Sequence, residues 1–312
     1  MYRTNVDATA IVRVATPPVS PERGGLGGTT LDRIVFANAL DGYATTGASS
    51  PSTLYVTTDG ARTWRRVMHA SDLSISVVAT SDEIFVTTYT CRRPAIACGQ
   101  YTTRRASLTA RSWVTLPRLW AIGTASGESY YGPSLAASGR TVWELQTGPR
   151  SSLWISHDDG RTFARVLLRF PELVSVAGCA ITPMSTVSLW AACPTGMEES
   201  FWHSANGGAS WSAASPARLE FSGTGGGAFD PVTPDVAMLD YGPDGPSPDL
   251  YRISGGGSGF SPIGEVRCLN ADPIIFVDPS HGLMLCGLDL TSSLRRTSDG
   301  GVTWVDVRLP RD

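Results

Sequence analysis

The sequence predicts an all-β protein, a six-bladed β-propeller whose blades are four-stranded antiparallel sheets. Three observations predict this fold. A motif of the form Ser/Thr-x-Asp/Asn-x-Gly-x-Ser/Thr-aromatic recurs about every 49 residues. Four short strand patterns, separated by turn-forming residues, accompany each copy of the motif. The 312-residue chain has room for six such units, and repeats of this length are typical of propellers.

Four copies of the motif are complete or nearly so: Thr57–Trp64, Ser156–Phe163, Ser204–Trp211 and Thr297–Trp304. Two eroded copies lie in the double-length gaps between them, where the period requires them. The positions equivalent to the motif's aspartate are residues 59, 108, 158, 206, 255 and 299, with spacings of 49, 50, 48, 49 and 44. This regular spacing favours a propeller over a β-sandwich, and seven blades remain an alternative.

The motif is interpreted as a structural hairpin. Its Asp or Asn (Asp59, Asp158, Asn206, Asp299) is expected to accept hydrogen bonds from the backbone just after it. The glycine permits a positive φ. The final aromatic residue (Trp64, Phe163, Trp211, Trp304) is expected to begin the next strand and pack into the core.

The sequence around each motif predicts individual strands. In the first repeat these are 33–38, 42–46, 54–58 and 64–68, and in the sixth they are 273–278, 282–287, 294–298 and 302–309. A Leu or Phe stands three residues before five of the six motifs: Leu54, Leu153, Phe201, Leu250 and Leu294. Residues 30–312 are therefore assigned to the propeller. Residues 1–29 are expected to be a strand and linker that fasten the ring, or part of a seventh blade.

The six cysteines form three local pairs: Cys91 with Cys98, Cys179 with Cys193, and Cys268 with Cys286. The last two pairs are placed opposite one another on the first two strands of blades four and six. The first pair is placed across the loop between the second and third strands of blade two. Paired cysteines favour an oxidising compartment over buried free thiols. The chain is therefore expected to be secreted or in the cell envelope, with a leader peptide upstream of Met1.

Composition excludes several classes of function. A net charge of −3 and a pI near 5.8 leave no electrostatic footprint for nucleic acid. No apolar run reaches the ~20 residues of a membrane span. The four histidines (His69, His157, His203, His281) have no metal-ligand spacing, so neither metal nor cofactor is expected. A monomer is expected.

The motif resembles the aspartate-box, or bacterial neuraminidase, repeat over nearly the whole chain. Ile34-Val35-Phe36 followed by Asp41-Gly42-Tyr43-Ala44, and Ile275-Phe276-Val277-Asp278 followed by His281-Gly282, resemble repeats of photosystem II stability/assembly-factor-like proteins. That resemblance implies a non-catalytic propeller that scaffolds a partner protein. The same box also occurs in sialidases and other glycoside hydrolases, so it is not specific for function.

A sialidase is expected to carry an Arg-Ile-Pro segment, three carboxylate-binding arginines and a Tyr–Glu pair. Here Arg13 is followed by Val14-Ala15, and Arg252 follows Tyr251 before an eroded box. The arginine triad cannot be assembled from this sequence. Glycoside hydrolysis by two carboxylates is therefore the alternative hypothesis, and binding of a protein or carbohydrate partner the leading one.

The resemblance also implies where a ligand would bind. In aspartate-box propellers the boxes lie on the face away from the site, which is formed by the loops between strands two and three and between blades. The candidate ligand-binding residues in these loops are Arg92, Arg93, Trp120, Tyr130, Tyr131, Glu198 and Glu199. A paired arginine suits an anionic partner, and aromatic residues commonly anchor interfaces. The alternative is that these are solvated loop residues without a ligand.

Overall fold

The computed structural model describes residues 2–4, 11–15, 17, 31–46, 52–70, 74–92, 97–116, 134–146, 152–168, 179–194, 198–214, 219–220, 228–241, 249–266, 271–286 and 293–308. Over these ranges the chain is nearly all β-strand. It forms six sheets in which four strands pair antiparallel in chain order. The fold class is an all-β six-bladed β-propeller, as predicted from the repeat.

One compact unit contains Val14–Leu168 and holds three blades. Blade one consists of β3 (Leu31–Phe36), β4 (Gly42–Thr46), β5 (Ser52–Thr57) and β6 (Arg65–Ala70). Blade two consists of β7 (Ser74–Ala79), β8 (Glu83–Arg92), β9 (Ala97–Ser107) and β10 (Val114–Thr115). Blade three consists of β11 (Ser134–Ser138), β12 (Thr141–Gln146), β13 (Ser152–Ser156) and β14 (Ala164–Leu167).

The second unit contains Tyr2–Arg13 and Cys179–Asp312. Blade four consists of β15 (Ala180–Pro183), β16 (Leu189–Pro194), β17 (Glu198–Ser204) and β18 (Ser212–Ala213), with β19 (Leu219–Glu220) also paired to β17. Blade five consists of β20 (Ala228–Pro231), β21 (Ala237–Tyr241), β22 (Asp249–Ser254) and β23 (Gly259–Glu265). Blade six consists of β24 (Ala271–Phe276), β25 (Gly282–Cys286), β26 (Ser293–Thr297) and β27 (Val305–Val307). The short strands β1 (Tyr2–Thr4) and β2 (Ile11–Arg13) pair with each other, and the fastening role of residues 1–29 stays a prediction.

The complete boxes share one hydrogen-bond pattern, which blade three illustrates. The hydroxyl of Ser156 donates to Asp158 Oδ1 at 2.8 Å and accepts from the Gly160 amide at 2.8 Å. The Thr162 amide and hydroxyl donate to the two carboxylate oxygens of Asp158 at 2.8 and 2.7 Å. The side chains thus replace the backbone bonds that a tight turn leaves unmade, which is the structural role predicted for the motif.

Asn206 keeps the acceptor geometry of an aspartate, as predicted. The Ser210 amide donates to its Oδ1 at 2.9 Å, and its Nδ2 donates to the Ser210 hydroxyl at 2.8 Å. The direction of the second bond is therefore reversed relative to the aspartate boxes. The predicted packing of the final aromatic residues holds fully for Trp211, which is buried, whereas Trp64, Phe163 and Trp304 are half-buried.

Each complete box lies on the turn between the first two strands of its own blade. The Gly60 amide donates to the Leu40 carbonyl at 2.9 Å, and the Gly300 amide donates to the Ser280 carbonyl at 2.8 Å. In the eroded box of blade five, Gly256 (φ +61°) packs against the ring of His203 from blade four. A Cβ at this position would lie 3.0 Å from His203 Nδ1, and the equivalent positions of three other boxes, Gly60, Gly207 and Gly300, are glycine as well.

The first strands of blades one and six end two residues earlier than predicted. Strand β3 ends at Phe36 because the side chain of Asn38 accepts bonds from the amides of Leu40 and Asp41 and forms a turn. Asp278 caps the equivalent turn of blade six through the amides of Ser280 and His281. The apolar residues before the boxes lie in the core, as their recurrence suggested: Leu54, Leu153, Phe201 and Leu250 are at most 1% exposed, and Leu294 is half-buried.

The aspartate boxes are expected to make the protein acid-sensitive. Hydrogen bonds from Thr162 and Thr303 lower the pKa values of Asp158 and Asp299. A lowered folded-state pKa contributes stability above the unfolded-state value near 4, which is lost as pH falls further. The double variant Asp158→Asn/Asp299→Asn should therefore lose less stability between pH 4 and pH 2 in thermal melts. An acid limb identical to that of the wild type would contradict this assignment.

Candidate functional site

The candidate site lies at the end of the blades opposite the boxes. Because each box bonds to the turn between strands one and two, the hairpins between strands two and three end on the other side, here called the loop end. In blade two this hairpin is unusually long, with 10 residues in β8 and 11 in β9. Strand β7 begins at Ser74, which lies opposite Tyr89 of β8, and residues 71–73 before it lie outside the described part of the chain. The described residues 90–92 and 97–100 of this hairpin are here called the hairpin arm.

One of the two arginines predicted from the sequence lies within the described residues. Arg92 is the last residue of β8 and lies opposite Ala97, while Arg93 lies outside the described residues. Cys91 and Cys98 occupy opposite positions on the two strands, as a disulfide between them requires, and the bond itself stays a prediction. Trp120, Tyr130 and Tyr131 also lie outside the described part of the chain.

The other predicted carboxylates are on blade four. Glu198 begins β17 opposite Glu220, and Glu199 lies opposite Pro194 and Leu219. Two positions along the same face of the strand, the fully buried Phe201 packs against Phe229, with ring centroids 4.6 Å apart. Burial raises the pKa of Glu199 to about 7. The candidate residues proposed from the sequence thus include a carboxyl group whose pKa is raised to near neutral.

Glu199 is expected to destabilise the protein as pH rises. Its carboxyl is protonated in the folded state up to pH ~7 but in the unfolded state only up to its usual value near 4.5. Stability is thus lost between these values, by ~2 kcal/mol after allowing for its remaining solvent contact. Glu199→Gln should be about that much more stable than the wild type at pH 8 by urea unfolding, and unchanged at pH 4. The variant Asp82→Asn, which removes an exposed carboxylate, is the control, and equal curves for both variants would refute the assignment.

One feature of the loop end was not predicted, a buried Tyr–Glu pair between blades two and three. The Tyr101 hydroxyl donates to Glu144 Oε1 at 2.8 Å, and the residues are 5% and 2% exposed. Next to Tyr101 along the same face, Thr103 is hydrogen-bonded to Thr87 at 3.0 Å. Thr103 occupies the position three residues before the box of blade two, where the other repeats have Leu or Phe. This substitution was the one sequence signal for a polar interface.

The same face of blade two carries an ion pair near the box end. Arg105 Nη1 lies 2.6 Å from Glu83 Oε1. The second oxygen of Glu83 and the Nε of Arg105 are buried without a hydrogen-bond partner. Between the two polar groups, Phe85 packs against blade three. The face of blade two that packs against blade three through Phe85 thus carries polar groups on both sides of that residue.

Loss of the tyrosine hydroxyl should lower the unfolding free energy more in the Tyr101–Glu144 pair than in a tyrosine that donates to a backbone carbonyl. Tyr101→Phe removes a donor from a buried carboxyl group and is expected to cost ~2 kcal/mol of unfolding free energy. Tyr43→Phe is the matched control because the Tyr43 hydroxyl donates to a carbonyl, that of Leu108, at 2.9 Å. It should cost only ~1 kcal/mol in the same denaturant titration. Equal losses of unfolding free energy in the two variants would show that the Tyr101–Glu144 hydrogen bond contributes no more than the bond to the carbonyl.

The structure also bears on the expectations about metal, membrane spans and disulfides. No group of three or more His, Cys, Asp or Glu residues capable of holding a metal occurs within the described ranges. Those ranges also contain no helix long and apolar enough to cross a membrane. Cys179 and Cys193 form the predicted disulfide. Cys286 is disulfide-bonded as well, and its predicted partner Cys268 lies outside the described residues.

Comparison with known proteins shows which solved structures share this fold. No family model and no curated protein matches the chain. Among solved structures, YCF48 from Cyanidioschyzon merolae superimposes with a TM-score of 0.57 at 14% identity, over 89% of this chain and 84% of that one. A structure titled YCF48 bound to D1 peptide gives a TM-score of 0.56 at 14% identity, covering 89% of this chain and 81% of that one.

Two enzymes are also similar in structure. The GH74 xyloglucanase from Xanthomonas campestris gives a TM-score of 0.57 at 17% identity, over 90% of this chain and 45% of that chain. The Trypanosoma rangeli sialidase with the inhibitor DANA gives 0.51 at 12% identity, over 85% and 54%. At these identities the likenesses show a shared fold, and the chain is a β-propeller of the kind found in YCF48, GH74 enzymes and sialidases.

Proposed function

We propose that this chain is an exported, non-catalytic β-propeller that binds a protein or carbohydrate partner through its loop end. The hairpin arm carries this proposal. Its strands remain paired through Cys91–Cys98 to Arg92–Ala97, and they are the longest strands among the described residues. A long hairpin adds contact surface at the rim of a propeller. It is a feature suited to a macromolecular partner.

The relation to solved structures supports binding over catalysis. One YCF48 structure contains a bound peptide, and this chain corresponds to more than four fifths of both YCF48 chains. It spans only 45% and 54% of the xyloglucanase and sialidase chains. The chain thus matches a peptide-binding propeller nearly end to end, and the two enzymes over about half their length.

The disulfide supports export. The Cys179–Cys193 bond joins the beginning of blade four to its second strand, and both residues are at most 2% exposed. Such bonds form and persist in oxidising compartments. Thiol titration of the unfolded, unreduced protein from its native source should find none of the cysteines free, whereas six free thiols would contradict export.

Site-specific crosslinking tests the binding proposal. A photoreactive p-benzoylphenylalanine at position 90, within the arm, should crosslink a partner in extracts of the source organism. The same residue at Val302, which is 64% exposed in the box of blade six, is the control and should give no specific product. Crosslinks at position 302 and none at position 90 would place the binding surface at the box end and contradict the proposal.

Glycoside hydrolysis is the second candidate because a carboxyl with a pKa of about 7 is suited to act as a general acid. In this alternative Glu199 is the proton donor. A panel of fluorogenic glycosides should show no turnover if the protein only binds. Turnover that is lost in Glu199→Gln and retained in Asp82→Asn would establish the enzyme and overturn the binding proposal.

A further inference from the structure

The joint between blades four and five contains a buried imidazole at its box end. His203, on β17 of blade four, is 8% exposed, and its ring centroid lies 4.7 Å from that of the fully buried Trp190. The Ser188 hydroxyl lies 3.2 Å from Nε2 of the ring. A Cβ on Gly256 of blade five would lie 3.0 Å from Nδ1 and 3.1 Å from Cε1, so this edge of the ring faces the Gly256 α-carbon. The ring is thus enclosed by both blades.

Blade five also meets this ring through the turn between its first two strands. The Pro234 carbonyl in that turn accepts a hydrogen bond from the imidazole of His203 and lies 3.5 Å from the Ser188 hydroxyl. The turn is in turn bonded to the box of its own blade, since the Gly256 amide donates to the Asp235 carbonyl at 3.2 Å. The imidazole, the turn and the eroded box therefore form one connected contact between the two blades.

The surroundings of this imidazole favour its neutral form. Burial is the largest effect and lowers the pKa of His203 from its usual value near 6.5. The carboxylate of Asp235 and the Pro234 carbonyl act in the opposite direction, without cancelling the effect of burial. The other groups in contact with the ring carry no charge: Ser188, Trp190 and Gly256. The neutral ring therefore fits this contact better than the protonated ring.

The next joint, between blades five and six, is closed by a cation that does not titrate. One repeat later, Arg252 occupies the position of His203, and its Nη2 donates to the Pro279 carbonyl of blade six at 2.9 Å. Gly300 packs against this Nη2 as Gly256 packs against the imidazole. A guanidinium stays protonated at every pH that a folded protein meets. Successive blades thus carry a titratable and a non-titratable version of the same contact.

We propose that His203 makes the joint between blades four and five an acid-sensitive latch, closed by the neutral imidazole and loosened when the imidazole is protonated. A proton added at Nδ1 would point at the Gly256 α-carbon, which cannot accept a hydrogen bond, so the charge would be buried without a partner there. Because the folded-state pKa lies below the unfolded-state value near 6.5, the stability is complete above that pH and is lost as pH falls through the folded-state value. This response goes beyond partner binding and does not depend on it.

Hydrogen exchange of tryptophan indoles, followed by NMR of protein labelled with 15N-tryptophan, tests the latch. The Trp190 Nε1–H donates to the Thr233 carbonyl of blade five at 3.1 Å, so it reports on the joint directly. After correction for intrinsic rates, it should exchange roughly tenfold faster at pH ~5 than at pH ~7.5. The Trp202 Nε1–H donates to the Ser200 hydroxyl within blade four and is the internal control, whose corrected rate should stay nearly constant.

Two substitutions separate the titration of His203 from its packing. His203→Gln keeps a side-chain N–H for the Pro234 carbonyl but cannot be protonated, so the Trp190 indole should exchange at equal corrected rates at both pH values. Asp235→Asn removes a charge that favours protonation. The pKa of His203, followed by its ring-proton NMR signal, should therefore fall further, and the loosening should move to lower pH with it. The control His157→Gln removes an exposed histidine of blade three and should leave the response unchanged.

The latch is ruled out if the pH response of the Trp190 indole persists in His203→Gln. It is also ruled out if the Trp190 and Trp202 indoles respond equally, since that would indicate opening of the whole protein. If His203→Gln does not fold, Asp235→Asn decides the question, and an unchanged midpoint of loosening in that variant overturns the proposal. Crosslinking at position 90 is measured independently, so failure of the latch leaves the binding proposal standing.

Discussion

Gly301→Ala is expected to lower the unfolding free energy by ~3 kcal/mol, the largest loss from any single methyl group considered. Gly301 lies in the box of blade six at φ +95°, where an L-residue costs ~1–2 kcal/mol. Its Cβ would also collide with Cδ2 of Leu250, a residue of blade five that is 1% exposed. Overpacking of this kind typically costs a further ~1–3 kcal/mol.

The same box in blade one provides the matched control. Ala61 occupies the position equivalent to Gly301, at φ +66° and 1% exposed. The backbone conformation of the box is therefore compatible with alanine. Ala61→Gly should change stability by less than ~1 kcal/mol, since relief of strain and added chain entropy oppose each other. Urea unfolding of both variants, followed by tryptophan fluorescence, measures the difference.

A double-mutant cycle isolates the collision. Leu250→Ala alone should cost ~2–5 kcal/mol because it empties a core position. If Leu250 is what opposes the added methyl group, Gly301→Ala in the Leu250→Ala background should cost at least ~1 kcal/mol less than in the wild type. Additive losses would mean that the strain lies in the backbone alone, and the proposed packing of the box against the previous blade would be wrong.

These contacts show why the fold could be predicted from the sequence. The box is a local structure in which Asp158 bonds only to residues up to four positions away, so its signature is continuous in the chain. Its regular spacing then determines the number of blades. Strand ends were less accurate because Asn38 fits both a strand pattern and a turn, and its side-chain bonds to Leu40 and Asp41 decide between them.

The candidate site could be predicted only in part. Glu199 was found because it follows a cysteine at a loop, and its buried environment could not be read from that position. The Tyr101–Glu144 pair was missed because the two residues are 43 positions apart on different blades, and their contact depends on how two sheets pack. A local motif carries no information about such packing. Thr103, at the position where other repeats have Leu or Phe, was the one sequence feature that indicated a polar contact between these blades.

Removal of the disulfide in blade four is expected to lower the unfolding free energy by ~3 kcal/mol. The bond closes a loop over a sequence separation of 14, for which loss of the constraint on the unfolded chain accounts for about that amount. Its surroundings add support, since the Ser200 hydroxyl donates to the Cys193 carbonyl at 3.1 Å and accepts from Trp202 Nε1 at 3.2 Å. The double variant Cys179→Ala/Cys193→Ala should unfold at correspondingly lower denaturant concentration.

Reduction distinguishes this bond from the other cysteines. Wild-type protein should lose stability on addition of dithiothreitol by more than the double variant does, and the difference should equal the cost of the substitutions. A double variant that is as stable as the oxidised wild type would show that the bond stabilises nothing. Because Glu199 follows Cys193 by only six residues on the same hairpin, the pKa of its carboxyl should fall toward 4.5 if the variant loosens that end of blade four. A pH titration of the double variant thus also tests whether the disulfide maintains the buried environment of the loop end.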